Sequence, residues 1–288
     1  MPAMLEVRLI NWGQRALVLL VEMLVILSLA LYSASSIAST SAVQTRLPVS
    51  VGEVVNPAQL DGPSNELHIA RLVFAHGPHS NWGPGTPWWR IDWPSAEHFF
   101  TQGLKRYTSI DAAADSVHVS LLDETVYDYP WLFAQQVGRW QLGHEEVAAL
   151  REYLLRGGFL VVDDFHGPDQ WRIFESVMQR ALPEAEFDEL SSTDALMNVL
   201  YELDHRTQIP GRRHLRAGRD GQVQVDMPFS PARWRGIHDE QGRLMVAVNF
   251  NMDMGDAWEH ADDPMYPVPM TSLAYRFGIN YVVYALTH

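Results

Sequence analysis

The sequence contains no cysteine among its 288 residues. This absence excludes disulfide bonds, thiolate nucleophiles and metal sites with thiol ligands. Basic residues are also scarce, because 21 Lys and Arg stand against 35 Asp and Glu, for a formal net charge of -14. A surface of this charge repels phosphate backbones, so the composition predicts no nucleic-acid partner. Any anion-binding site in this chain needs a local exception to the overall charge.

Short catalytic motifs are missing as well. The sequence has no G-x-S-x-G elbow, no glycine-rich phosphate loop followed by Lys and no H-E-x-x-H. It also has no internal repeat and no low-complexity tract. Function must therefore come from side chains that the fold brings together.

The N-terminus predicts an exported protein. Arg8 and Arg15 precede an apolar run, Ala16 to Leu31, and small residues follow it. Two interpretations stay open: a signal peptide cleaved near Ala38 or Ala42, or an apolar helix retained as a membrane anchor. Basic residues before the run keep the N-terminus inside in either case. The C-terminal domain is then periplasmic, or anchored to the cytoplasmic membrane and lying outside it.

The chain divides into three parts. Residues 1–43 are the signal peptide or anchor, 44–66 are a linker with three prolines, and 67–288 are an α/β domain. In that domain apolar strand patterns alternate with helical patterns over short connections, which predicts a mostly parallel sheet with helices on both faces. Strands are predicted over His68–Ala75, Val117–Leu121, Trp131–Val137, Phe159–Asp164 and twice within Arg233–Met252; helices are predicted over Ser95–Thr108 with Ser95 as N-cap, His144–Gly158, Pro168–Leu182 and Ser272–Thr287.

The strand ending in Asp163 and Asp164 carries the first candidate site, together with His166. Ligands of such sheets bind beyond the carboxyl ends of the strands. Carboxylates beside an imidazole can ligate a divalent metal or divide acid and base roles, so these are the candidate catalytic residues. The alternative is that one aspartate caps the following helix and His166 is merely exposed. Because neighbouring strand residues face opposite ways, we expect Asp164 to face the crevice and Asp163 the scaffold.

A second candidate segment, residues 76–94, follows the first predicted strand. It holds four tryptophans among Gly and Pro. Trp88, Trp89 and His79 are candidate ligand-binding residues, with a glycan as one ligand that aromatic rings could stack on. The alternative is that the tryptophans cover the domain core, because exposing them is costly.

A third candidate segment, residues 249–264, is rich in acids. Asp253, Asp256 and Glu259 are candidate ligand-binding residues, and Asp253 and Asp256 with Asp164 are candidate metal ligands. The alternative is a solvated acidic loop. An arginine-rich stretch, residues 205–219, could capture an anion or a membrane surface, or be a solvated loop.

Several of these segments together resemble the domain of unknown function 4159 family over about residues 67–288. They are "LREYLLRGG" before "FLVVDDFHG", "YPWLF", "GRLMVAVNFNMDMGDAWE" and "AYRFGINYVVYALTH". The resemblance implies the class I glutamine amidotransferase-like fold, a flavodoxin-like three-layer α/β sandwich, and no established activity. The amidotransferase nucleophile of that fold is a cysteine at a strand-to-helix elbow, where this chain has Asp163 and Asp164. Asp194 and Asn198 stand where the family pattern has histidines.

These observations predict an exported domain that binds a polar small molecule or glycan, or serves as a scaffold. The alternative is a metal-assisted hydrolase that uses carboxylates at the carboxyl edge of the sheet. A divalent metal is the cofactor that these residues suggest.

Overall fold

The computed structural model describes residues 66–76, 86–219 and 222–288. The predictions about the signal peptide or anchor, most of the linker and His79 fall outside these residues. Within the described part of the chain, no helix is long and apolar enough to cross a membrane.

The described chain alternates strands and helices as the sequence predicts. The elements are β1 (Ala70–Val73), α1 (Ser95–Tyr107), β2 (Val117–Ser120), β3 (Trp131–Gln135), α2 (His144–Leu155), β4 (Phe159–Phe165), α3 (Gly167–Ala181), β5 (Asp188–Glu189), β6 (Leu215–Ala217), β7 (Val223–Val225), β8 (Arg233–His238), β9 (Leu244–Phe250), α4 (Met254–Glu259) and α5 (Val268–Thr287). The prediction of Ser95 as an N-cap is wrong, because Ser95 is already helical and Pro94 precedes it without a side-chain cap.

Seven strands form one sheet in the order β2-β1-β3-β4-β9-β8-β5. Strands β2, β1, β3, β4 and β9 are parallel to one another. Strand β8 is antiparallel to both of its neighbours, so β5 again runs in the main direction. The prediction of a mostly parallel sheet is confirmed.

Alternation along the central strands divides the core into two layers. Trp131 and Phe133 of β3 pack on one face with α1, α4 and α5. Leu132 and Ala134 point to the other face, where α2 and α3 cover them. Both faces of the sheet are therefore buried, which explains why β4 is apolar over most of its length.

The carboxyl ends of β1, β3, β4 and β9 lie side by side because these strands are adjacent and parallel. Four non-glycine residues of the described chain have a left-handed backbone: Asp92 (φ 62°), Gln136 (φ 55°), Asp164 (φ 50°) and Asn251 (φ 60°). Gln136, Asp164 and Asn251 lie at or next to the ends of β3, β4 and β9, and Asp92 lies on the segment that leaves β1. Such backbone conformations cluster at functional sites, so this edge of the sheet is a candidate functional site.

Candidate functional site

Asp163 and Asp164 occupy a bulge at the end of β4. The register of β4 against β9 shifts between Val162 and Phe165, and Asp164 takes the left-handed conformation there. The bulge interrupts the alternation of side chains that a regular strand would impose. Both carboxylates therefore reach the carboxyl edge of the sheet, each with its own partners.

Asp163 binds the scaffold. Its Oδ2 accepts hydrogen bonds from the backbone N–H groups of Met254, at 2.7 Å, and Gly255, at 3.1 Å. These are the first N–H groups of α4, so Asp163 caps a helix that is distant in sequence. The alternative that an aspartate of this pair caps the following helix is wrong, because α3 has no side-chain cap.

Asp164 lies among polar and cationic side chains. Its Oδ1 is 3.0 Å from Nε2 of His166 and 3.9 Å from Nη2 of Arg213. Gln136 donates a hydrogen bond to its other oxygen. His166 is only 7% exposed, which contradicts the alternative that it is merely an exposed residue.

Three further carboxylates converge beside this pair. Asp92 follows β1, Asp253 follows β9 and Asp256 lies in the first turn of α4. One carboxylate oxygen from each lies within 4.8 Å of the other two. Asp256 also forms a similar group with Glu259 and His260. Sequence reasoning missed Asp92, whose one signal was an acid inside the tryptophan-rich loop.

Two glycines allow these carboxylates to approach. A Cβ on Gly211 would lie 2.7 Å from Oδ2 of Asp253 and 3.1 Å from Oδ2 of Asp256. A Cβ on Gly255 would lie 1.8 Å from Nε2 of Gln135 and 2.7 Å from Oδ2 of Asp92. A side chain at either position would therefore displace one of these polar groups.

Arg71 positions Asp92 from inside the sheet. Its fully buried side chain forms an ion pair with Glu97 and donates hydrogen bonds to the carbonyl of Ile91, at 2.7 Å, and to Oε1 of Gln135, at 2.5 Å. Gln135 in turn donates to Oδ2 of Asp92 at 2.7 Å. A buried arginine in an apolar strand is a signal for such a network that sequence reasoning passed over.

Comparison with family models now identifies this domain. A family model described as "Domain of unknown function (DUF4159)" matches residues 68–286. The chain belongs to the DUF4159 family. No curated protein matches it. Because the family description assigns no activity, the function of the DUF4159 domain has to be argued from its geometry.

The three converging carboxylates of the DUF4159 domain, Asp92, Asp253 and Asp256, have raised pKa values. Burial raises the pKa of Asp92 and Asp253 well above the ordinary value, and the neighbouring carboxylates raise it further. Burial and then the charge of Asp164 raise the pKa of Asp256. A bound cation would offset both effects and lower these pKa values, because it supplies the opposite charge at the same place.

Trp88 and Trp89 of the DUF4159 domain pack against other side chains of the same chain. Trp88 is 8% exposed, and the guanidinium of Arg139 lies 3.8 Å from the centre of its ring. The ring of Trp89 packs against His118 at 4.8 Å between centroids. These contacts support the alternative that the aromatic loop covers the domain over the interpretation of an open stacking platform.

Asp194 and Asn198, which the sequence resemblance singled out, lie away from these carboxylates. Asp194 accepts a hydrogen bond from the N–H of Ser191 at 2.5 Å and lies 3.6 Å from His238. His238 ends β8, which is antiparallel to β9, so it lies at the opposite edge of the sheet.

The arginine-rich stretch contacts the candidate site at two points. Nη2 of Arg213 lies 3.9 Å from Oδ1 of Asp164, and the N–H of Arg212 donates to Oδ2 of Asp256 at 2.6 Å.

Proposed function

We propose that the DUF4159 domain binds a divalent cation at the carboxyl edge of its sheet and uses it to hold a polar ligand. Asp92, Asp253 and Asp256 would be the carboxylate ligands. The observation that carries this proposal is their convergence from two segments that are distant in sequence, with one oxygen from each within 4.8 Å of the other two. Hard cations such as Mg²⁺ and Ca²⁺ prefer oxygen ligands of this kind.

The strand order supports a finer assignment of the fold. The order β2-β1-β3-β4-β9 corresponds to the 2-1-3-4-5 order of flavodoxin-like proteins. This supports the amidotransferase-like fold that the sequence resemblance implies. Ligands of flavodoxin-like proteins bind at the switch point between β1 and β3. Asp92 follows β1, and Gln135 is the last residue of β3.

A metal-assisted hydrolase is the second candidate, and one observation favours it. His166 is held by Asp164, whose left-handed backbone sets it at the end of β4. A histidine oriented by a carboxylate can act as a general base on a water molecule that a cation polarises. Turnover of a ligand, as against simple binding, separates this candidate from the first.

The cation site is testable by calorimetry on the full chain with Mg²⁺, Ca²⁺, Mn²⁺ and Zn²⁺. We expect at least one cation to bind, and Asp253→Asn to weaken its binding at least about tenfold, because a charged oxygen ligand is lost. The matched control is Glu184→Gln, an exposed acid on the loop after α3, which should leave binding unchanged. Absence of binding by all four cations contradicts the proposal, as does equal binding by Asp253→Asn.

A further inference from the structure

Positive charge is concentrated on one side of Asp164, beside the carboxylates Asp92, Asp253 and Asp256. Nη2 of Arg213 lies 3.9 Å from Oδ1 of Asp164. Nε of Arg139 donates to Oε1 of Gln136 at 3.3 Å, and the same glutamine donates to Asp164. Two guanidinium groups therefore share the surroundings of one carboxylate.

Both guanidinium groups lie within electrostatic reach of Asp164 and of each other. The ring of Trp88 holds the guanidinium of Arg139 at 3.8 Å from its centre. Burial lowers the pKa of Arg139, the charge of Asp164 opposes this, and the charge of Arg213 lowers the pKa further. Asp164 is already bound by Gln136 and His166. In a chain with a net charge of -14, a pair of arginines at this edge gives an anion two cationic partners.

His166 adds a buried polar atom at the same place. Its Nε2 is used by Asp164, whereas its Nδ1 is buried and has no hydrogen-bond partner among the described residues. Buried polar atoms in proteins are almost always hydrogen-bonded, so an unpartnered one in a candidate site points to a ligand or a water molecule.

We propose that the polar ligand carries a phosphoryl group, which binds between the cation and the guanidinium groups of Arg139 and Arg213. This inference rests on the cation site proposed above. Divalent cations are commonly held by one or two carboxylates together with phosphate oxygens, and arginine matches the geometry of phosphate. An uncharged sugar gives no reason for two arginines to converge here.

The test is calorimetry on the full chain with methyl phosphate, a soluble phosphate monoester, as the probe. We expect binding to protein saturated with Mn²⁺ and much weaker binding after chelation, because the acidic cluster then repels the anion. Arg213→Gln should weaken methyl phosphate at least about tenfold and leave Mn²⁺ affinity unchanged. Because Arg213 is exposed, this variant should fold normally. Arg172→Gln, an exposed arginine of α3, is the matched control.

Each outcome decides between the two proposals. If Mn²⁺ binds but methyl phosphate does not, the phosphoryl inference is overturned and the cation site stands. The same conclusion follows if Arg213→Gln and Arg139→Gln both bind methyl phosphate as tightly as the parent does. If Mn²⁺ does not bind, both fall. Sedimentation with vesicles that contain phosphatidic acid then identifies the source: binding to vesicles indicates a lipid headgroup, and binding to methyl phosphate alone indicates a soluble ester.

Discussion

At the scale of single residues, Asp163 and Asp164 show how one bulge separates two roles. Asp163 caps α4 through two backbone N–H groups. Asp164 instead contacts the side chains of Gln136, His166 and Arg213. Removing the carboxylate of Asp163 would therefore act on the scaffold first. Removing that of Asp164 would release His166 and alter the charge balance of the edge.

Asp253 gives a pH-dependent prediction at this scale. Its folded pKa is raised by burial and by neighbouring carboxylates, so the folded state holds a proton that the unfolded state releases. The stability from this group is full below the unfolded pKa and is lost as pH rises through the folded pKa. In chelator, Asp253→Asn should therefore become more stable than the parent as pH rises above about 4.

Thermal unfolding of both proteins from pH 4 to pH 8 measures this difference, which should be smallest at pH 4. Comparison with the parent cancels other titrating groups, such as His118, whose pKa burial and two arginines lower to about 4. Saturating Mn²⁺ should reverse the order at pH 8, because only the parent keeps the complete ligand set. A constant difference across the pH range would contradict a raised pKa of Asp253 in the folded state.

At the scale of elements, α4 is the connection between the sheet and the carboxylates. It begins at Met254 under the cap of Asp163, and its first turn carries Asp256. The sequence predicts no helix in this acidic segment, since six residues are too few to show a helical period. Asp253 caps the helix locally, because its Oδ1 accepts a hydrogen bond from the N–H of Asp256 at 2.9 Å. The second cap, Asp163, comes from β4, and no local pattern in residues 249–264 can reveal that partner.

Gly255→Ala tests the fit of α4. The new Cβ would lie 1.8 Å from Nε2 of Gln135, so that side chain or the helix must move. We expect the free energy of unfolding to fall by about 1–3 kcal/mol, as overpacking typically costs, and cation binding to weaken with it. Gly143→Ala is the control, because its Cβ would meet only Oε2 of Glu146, at 3.4 Å. Urea unfolding measures both, and equal losses for the two variants would contradict the tight fit.

Elements with strong apolar periods were predictable, and elements defined by distant partners were not. Strands β3 and β4 and helix α2 follow from apolar runs and, for α2, from Gly157 just beyond its end, which has φ 107°. The bulge at Asp164 depends on register against β9. The return of Asp92 to the edge depends on hydrogen bonds from Arg71 and Gln135. Strand β5 has two exposed residues, so it leaves no apolar pattern to detect.

At the scale of the whole molecule, export remains a prediction from residues 1–43. A reporter that is active only in the cytoplasm, fused after His288, should be silent, because the basic residues before the apolar run keep only the N-terminus inside. The control is the same fusion with residues 1–43 deleted, which should be active. Activity of the full-length fusion would contradict export. Intact mass of the mature protein would then separate cleavage near Ala38 or Ala42 from a retained anchor.

The three converging carboxylates also tie the cation to folding. Asp92 and Asp253 come from opposite ends of the described chain, so their oxygens meet only after the sheet and its covering segments are in place. An unfolded chain offers no equivalent site, and a cation that binds only the folded state stabilises it by mass action. At one hundred times the dissociation constant this linkage adds about 2.7 kcal/mol. The concentration of free cation around the protein would then set its resistance to heat and to proteases.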